Sequence, residues 1–174
     1  MTSATKIQYD IHPIPEPYPE TMRRHGLEGG YVNASEADSP WVPFGDNAAI
    51  RHLAFDVRAN TYCNILWVKS AGVIGTHRHR GLVSALTLEG SMRYLEYDWV
   101  ANPGDFFTEM PGQAHTLVSD NPTGMKAIFW MQGASEFYDK NGQHEFTVDV
   151  FWFINHYETY CEANGLKINK NLYI

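Results

Sequence analysis

Cysteine and basic residues are both scarce in this sequence. Cys63 and Cys161 are the two cysteines among 174 residues, too few for the disulfide framework of a small secreted domain. We expect both to be buried thiols in a reducing cytoplasm. Thirteen lysines and arginines stand against twenty aspartates and glutamates, giving a net charge of −7. This balance argues against nucleic acid or an anionic membrane as the main partner.

Long apolar segments are also missing. No run approaches the roughly 20 residues of a transmembrane helix, and the stretch 1–10 is polar, without the hydrophobic region of a secretory signal. Internal repeats of the solenoid type and low-complexity tracts are absent as well. We therefore expect a cytoplasmic globular protein, and 174 residues fit one domain with a substantial core.

Short β-forming segments follow one another from residue 50 onward. They are rich in β-branched and aromatic residues and are separated by turn residues. Asn141-Gly142 is the strongest short-range hairpin signal among these turns. Many short strands at even spacing are typical of an all-β barrel or sandwich.

Different patterns mark the two ends of the chain. Four alternating prolines near the N-terminus favour extended or turn backbone: Pro13, Pro15, Pro17 and Pro19. We expect 1–45 to be an arm that packs on the barrel or on a partner subunit, and 46–174 to be the main domain. At the other end, Phe151, Ile154, Tyr157 and Cys161 recur at helical spacing after a potential N-cap at Asp149. This pattern predicts one C-terminal helix that follows the hairpin.

The main group of potential metal ligands lies between residues 72 and 115. His77 and His79 alternate on a predicted strand, so their imidazoles point to the same face. His115, at the head of a later strand, can complete a three-nitrogen cap that leaves one side of a divalent ion open. Imidazole suits iron, zinc, copper and nickel alike, so these ligands leave the identity of the metal open.

The spacing around these histidines resembles the two sequence motifs of the cupin superfamily. In the first motif, His-x-His is followed by three or four residues, a glutamate, six residues and a glycine; here Val83 takes the place of the glutamate and Gly90 that of the glycine. The second motif keeps a glycine and a histidine eleven positions apart, as Gly104 and His115 are. The resemblance implies an all-β double-stranded β-helix, or jelly-roll, barrel.

Val83 is the departure that decides the predicted chemistry. Valine has no donor atom, and a slip of one residue offers only Ser84, on the opposite face of the strand. The sequence therefore predicts a three-histidine site without a carboxylate ligand. Three neutral imidazoles leave the charge of a divalent ion uncompensated. Such an ion attracts an anionic, chelating oxygen ligand and lowers the pKa of a hydroxyl that it binds.

Strand parity after Gly90 places two further candidates, Tyr94 and Glu96, on one face, and the resemblance to cupins implies that this face is the inner one. Tyr94 either donates a proton to a bound oxygen or fills volume with its hydroxyl paired to the backbone. Glu96 can orient a ligand histidine, act as a base, or lie in water at the rim of the barrel.

The three-histidine motif, the arm, the added Asn-Gly hairpin and the closing aromatic helix together resemble the bacterial 2,4'-dihydroxyacetophenone dioxygenases. More broadly, they resemble cupins related to the ChrR anti-sigma factors. The resemblance implies a homodimeric, non-haem Fe(II) dioxygenase, with His77, His79 and His115 as the iron ligands. It also implies a reaction that splits the carbon–carbon bond of an aromatic α-hydroxyketone, giving 4-hydroxybenzoate and formate. Two alternatives remain: a three-histidine dioxygenase that cleaves β-diketones, and a non-catalytic zinc-binding cupin of a redox-sensing regulator.

Overall fold

The computed structural model describes residues 10, 18–26, 30–33 and 35–174. Eleven strands and two α-helices occur in these residues, and a short 3-10 helix covers Lys170–Leu172. The helices are α1 (Tyr18–His25) and α2 (Val150–Ala163). The strands are β1 (Val42–Pro43), β2 (Ala48–Asp56), β3 (Thr61–Val68), β4 (Gly72–His79), β5 (Val83–Gly90), β6 (Arg93–Tyr94), β7 (Phe106–Glu109), β8 (Ala114–Ser119), β9 (Met125–Gln132), β10 (Ser135–Tyr138) and β11 (His144–Val148).

The strands form two antiparallel sheets. The larger sheet has the order β1-β2-β3-β9-β5-β7, and the smaller has the order β11-β10-β4-β8-β6. Side chains from both sheets, such as Val83 and Leu117, belong to one hydrophobic core. This arrangement confirms the predicted all-β jelly-roll fold with a C-terminal helix.

The first cupin motif folds as its alternating residues predict. Val83, Ala85 and Thr87 of β5 are buried, whereas the residues between them are partly exposed, because neighbouring side chains on a strand point to opposite faces. Gly90 ends the strand with a φ of +67°, and a Cβ there would collide with the carbonyl of Gly124. A glycine is therefore required where β5 and β9 come together.

Helix α2 begins where it was predicted but buries a different stripe. The Asp149 side chain accepts a hydrogen bond from the Trp152 N–H at 2.9 Å and caps the helix. Val150, Phe153, Tyr157 and Cys161 are its buried residues. Phe151 was expected in that stripe but is exposed. Phe153 instead faces the barrel, with its ring centroid 4.7 Å from that of Tyr62.

The N-terminal region differs from a simple extended arm, because α1 occupies Tyr18–His25. Pro13, Pro15 and Pro17 lie outside the described residues. Further along, Asn171 donates to the Tyr31 carbonyl and Asn169 to the Asp38 carbonyl, so this part of the segment packs on the rest of the chain. The boundary at residue 45 stays a prediction.

Both cysteines are free and buried, in agreement with the sequence. Burial raises the pKa of the Cys63 thiol to about 11 and therefore disfavours the reactive thiolate. None of the helices among the described residues is long and apolar enough to cross a membrane.

Candidate metal centre

The three predicted histidines come together through two paired strands. His77 and His79 lie on β4, and His115 on β8 is the direct cross-strand partner of His77. Directly opposite residues of an antiparallel pair project from the same face. All three side chains consequently point into the barrel, where each residue is at most 6% exposed.

A fourth donor, Glu109, corrects the prediction that no carboxylate takes part. It lies at the end of β7 and is the direct cross-strand partner of Val83 on β5. Because the two positions share a face, the carboxylate that Val83 lacks reaches the same site from the adjacent strand. A glutamate six residues before His115 was the available signal in the sequence. Its pairing with β5 is a tertiary feature that strand parity alone does not give.

The four side chains form a compact donor cluster, defined here as His77, His79, Glu109 and His115. Each offers one ligand atom, and these atoms all lie within 4.8 Å of one another. Oε2 of Glu109 is 2.8 Å from Nε2 of His79 and 3.1 Å from Nε2 of His115. The Nε2 atoms of His115 and His77 are 3.3 Å apart. Ligands at right angles around a metal, each about 2.1 Å from it, are separated by roughly 3 Å, so the spacing fits a shared cation.

Contacts behind two of the rings, those of His77 and His79, fix which of their nitrogens face the centre. Nδ1 of His79 lies 2.8 Å from the Ser135 hydroxyl, and Nδ1 of His77 lies 3.3 Å from the Gly75 carbonyl. Since a carbonyl only accepts, His77 carries its proton on Nδ1 when neutral, and its Nε2 presents a lone pair. Oε2 of Glu109 lies against Nε2 of His79 and Nε2 of His115. Lone pairs and a carboxylate oxygen converging in a buried space suit a divalent metal ion.

The charges in the cluster agree with this interpretation. Burial lowers the pKa of His77 to about 3, and the neighbouring imidazoles of His79 and His115 act in the same direction, so His77 stays neutral and able to bind metal. For Glu109, burial favours the neutral acid, but the imidazoles of His115 and His79 outweigh it and lower the pKa of the carboxyl. Glu109 is therefore an anion.

Tyr94 lies beside the cluster and is fully buried. Its hydroxyl donates a hydrogen bond to Oε1 of Glu109, and its ring packs against His115 with centroids 4.3 Å apart. Burial and the Glu109 charge raise the pKa of Tyr94 well above its ordinary value. The proton of this phenol thus holds the carboxylate, and direct action of Tyr94 on a bound oxygen stays a prediction.

Glu96 lies on the outer side of β8 rather than against the ligand atoms. Its carboxylate accepts hydrogen bonds from the Thr116 N–H and hydroxyl, both at 2.8 Å. Burial opposes ionisation, yet these bonds outweigh it and lower the pKa of Glu96. Because Thr116 follows His115, Glu96 fixes the strand that carries the ligand. Among the three roles that the sequence suggested for Glu96, these contacts agree best with orienting a ligand histidine.

An apolar cavity opens beside His77 and His79. Asn64 and Ser135 are its other polar lining residues. Its walls are Phe44, Ile50, Leu66, Ile74, Leu117, Phe129, Met131, Phe137, Val148 and Phe153. The Phe137 ring stacks on the His77 imidazole, with centroids 5.1 Å apart. A ligand in this cavity would meet two metal-binding imidazoles, the polar groups of Asn64 and Ser135, and otherwise aromatic or aliphatic surface.

Solved structures share this fold over most of their length. An RmlC-like cupin protein from Ralstonia eutropha JMP134 is 22% identical, with a TM-score of 0.79, and the match covers 85% of this chain and 96% of that one. An acetylacetone dioxygenase from Acinetobacter johnsonii is 16% identical, with a TM-score of 0.66 and coverage of 89% and 99%. The complex of Rhodobacter sphaeroides SigE with the anti-sigma ChrR matches at 18% identity and a TM-score of 0.50, covering 72% and 71%.

A search of curated proteins found no match. The model of the ChrR cupin-like domain family, however, matches residues 31–136. That span includes β1 to β9, the whole donor cluster and the residues that support it. The chain belongs to the ChrR cupin-like family of the cupin superfamily.

Proposed function

We propose that this protein is a non-haem Fe(II) dioxygenase that cleaves the carbon–carbon bond of an aromatic α-hydroxyketone. The observation that carries the proposal is the donor cluster, of which His77 and His79 line an apolar cavity with aromatic walls. A site that only stored or sensed a metal has no need of such a cavity. The reaction proposed is 2,4'-dihydroxyacetophenone plus O2 giving 4-hydroxybenzoate plus formate, which balances without a further reductant.

The cavity supports a flat, largely apolar ligand. Phe137 stacks on the His77 imidazole, and Phe44, Phe129 and Phe153 line the same space. Aromatic walls bind an aromatic ring through dispersion and edge contacts. The polar lining residues are Asn64, His77, His79 and Ser135, and the ketone and hydroxyl oxygens of the substrate would lie toward His77 and His79.

Glu109 changes the charge argument that the sequence suggested. With Glu109 ionised and three neutral imidazoles, a divalent ion retains one positive charge. That charge is balanced by the singly charged enolate of the hydroxyketone, which forms by loss of a carbon-bound proton and keeps the hydrogen of its α-hydroxyl. A dianion is not required. When bound, Fe(II) would supply Lewis acidity toward the two substrate oxygens and a site for reaction with O2.

The protein's own residues orient and protect this chemistry. Ser135 contacts Nδ1 of His79 and keeps that ring turned toward the centre. Tyr94 holds Oε1 of Glu109, which leaves Oε2 for the cation. The apolar walls exclude water that would compete for the metal and react with activated substrate.

Two other functions have specific support. The acetylacetone dioxygenase shares the fold along 99% of its own length, which favours a β-diketone as substrate. A regulatory zinc site is favoured by Glu109, because three imidazoles and one carboxylate can complete a closed tetrahedral set. The ChrR similarity points the same way. The homodimer and the cytoplasmic location stay proposals. Static light scattering, which gives the molar mass in solution, tests the homodimer.

The experiment that tests the proposal combines metal analysis with oxygen uptake. Protein purified without oxygen and loaded with Fe(II) should consume O2 with 2,4'-dihydroxyacetophenone and release 4-hydroxybenzoate and formate in equal amounts. The His115→Ala variant should lose both bound iron and turnover. Oxygen uptake with acetylacetone alone would favour the diketone reaction. Tight zinc binding with no uptake from either ketone would favour the regulatory site and contradict the proposal.

A further inference from the structure

A chain of polar groups runs from the surface to the wall of the metal cavity. His156 on α2 is half-buried, and its Nε2 lies 2.8 Å from the Pro43 carbonyl. Its Nδ1 is 3.4 Å from Nε2 of His52, a residue with no solvent exposure. Nδ1 of His52 is in turn 2.8 Å from the side-chain amide of Asn64, at the atom placed as Oδ1. Asn64 lines the cavity beside the donor cluster.

The Pro43 carbonyl determines which atom donates and which accepts at each contact of this chain. A carbonyl can only accept, so Nε2 of His156 must donate to it, and a neutral His156 then has a lone pair on Nδ1. That lone pair needs a donor, which is Nε2–H of His52. A neutral His52 consequently has its own lone pair on Nδ1, and this atom can only accept from Asn64.

Both rings are neutral in this environment. Burial lowers the pKa of His52 to about 3, against the opposing effect of its hydrogen bond with Asn64. Burial also lowers the pKa of His156. The aromatic neighbours Phe55, Phe153 and Tyr157 enclose the His52 ring and offer no charge to stabilise an imidazolium.

The chain therefore decides which way the Asn64 amide faces. Oxygen and nitrogen of a carboxamide exchange places on a half turn about the last side-chain bond, and the hydrogen-bond network selects the orientation. If the Asn64 oxygen faced His52, two lone pairs would oppose each other between His52 and His156. With the nitrogen toward His52, every contact in the chain pairs a donor with an acceptor.

The other amide atom of Asn64 is buried and has no hydrogen-bond partner within the described part of the chain. Asn64 itself is only 2% exposed. In the orientation that the chain selects, this unpaired atom is the carbonyl oxygen. A buried oxygen without a partner is unusual, and a ligand that fills the cavity can supply the missing donor.

We propose that Asn64 is a specificity-determining residue whose carbonyl oxygen accepts a hydrogen bond from a hydroxyl or N–H group of the cavity ligand. His52 and His156 act as positioning residues that hold the amide in this orientation. The inference rests on the proposed function for the location of the substrate, and it favours a hydroxyketone over a diketone in its diketo form, which has no such donor.

The first test reads the tautomers directly. Long-range ¹H–¹⁵N spectra of histidine-labelled, Zn(II)-loaded protein at pH 8 distinguish the protonated nitrogen of each ring. His52→Gln and His156→Gln variants assign the two signals. We expect His52 to carry its proton on Nε2. A proton on Nδ1 of His52 would place the amide nitrogen toward the cavity and overturn the proposal.

The second test compares two ligands that differ in the donor. Calorimetry with Zn(II)-loaded protein gives the affinities of α-hydroxyacetophenone and α-methoxyacetophenone. The methoxy compound also binds metal less well, so the informative quantity is the change in the affinity ratio. We expect Asn64→Leu to reduce the preference for the hydroxyl by roughly three- to tenfold. The control Ile65→Val, on the same strand but outside the cavity lining, should leave the ratio unchanged.

An unchanged ratio in Asn64→Leu would also overturn the proposal. Should neither ketone bind wild-type protein, the proposed substrate class is wrong, while the His52 tautomer still decides whether Asn64 presents its oxygen. Failure of the proposed function and failure of this inference therefore give different results.

Discussion

Replacing Tyr94 by phenylalanine tests how the buried carboxylate is held. The substitution removes one hydroxyl, which donates to Oε1 of Glu109, and keeps the ring that packs on His115. Both partners are buried, with Tyr94 at 0% and Glu109 at 5% exposure. The anion therefore cannot replace the lost donor with bulk water.

The magnitude follows from the charge of the acceptor. A hydrogen bond to a charged group contributes about 1.5–3 kcal/mol, and we expect metal-free Tyr94→Phe to lose that much unfolding free energy. In the metal-loaded protein, the Glu109 carboxylate also loses the hydrogen bond that orients it toward the cation. Loss of such an outer contact typically weakens metal binding by about 10- to 100-fold.

Two assays measure these effects. Urea unfolding of the metal-free protein gives the stability change, and competition with a chelator gives the metal affinity. Tyr97→Phe is the matched control, because its hydroxyl contacts Gln113 at the surface and not the donor cluster. Wild-type metal affinity and unchanged stability in Tyr94→Phe would refute the assigned contact. Normal metal affinity with lost turnover would instead support direct action of the phenol on substrate.

Three further predictions use other contacts. The double variant Val83→Glu with Glu109→Val moves the carboxylate to the paired strand. The metal affinity lost in Glu109→Val alone should therefore be partly restored. A double variant that binds metal no more tightly than Glu109→Val would contradict the conclusion that the two positions share a face. Ser135→Ala removes the contact to Nδ1 of His79 and should weaken metal binding by about 10- to 100-fold, whereas a chelator titration matching wild type would show that Ser135 does not orient the ring. Since burial lowers the pKa of His52 to about 3, the unfolded chain binds a proton there that the folded chain does not. This one site should therefore reduce stability as pH falls below about 6.5, by up to about 1.4 kcal/mol per pH unit. His52→Gln should lack that contribution and show a shallower dependence than wild type in urea unfolding between pH 4 and 6; equal slopes would mean that His52 is protonated in the folded state.

Much of the fold was accessible from local patterns. Alternation along β5 and the motif glycine at Gly90 predicted strands and turns, because these signals depend on neighbours in sequence. The three histidines were accessible for the same reason, since His77 and His79 share a strand face. The helix was also predicted, although Phe151 was wrongly placed in its buried stripe.

Contacts between residues on different strands could not be predicted from local patterns. Glu109 was missed because its closeness to the site depends on pairing with Val83, more than twenty positions earlier in the chain. The contact of His52 with Asn64 likewise joins two paired strands. The link of His52 to His156 arises only when α2 packs on the barrel. Strand partners and helix docking depend on the whole fold, which single-strand periodicity does not encode.

X-ray absorption spectroscopy of anaerobically loaded Fe(II) protein tests the metal centre most directly. One ion per chain is expected, with outer-shell scattering from three imidazoles and with one further oxygen signal that changes in the Glu109→Val variant. Iron bound with fewer imidazoles, or a spectrum that Glu109→Val leaves unchanged, would contradict the four-residue centre.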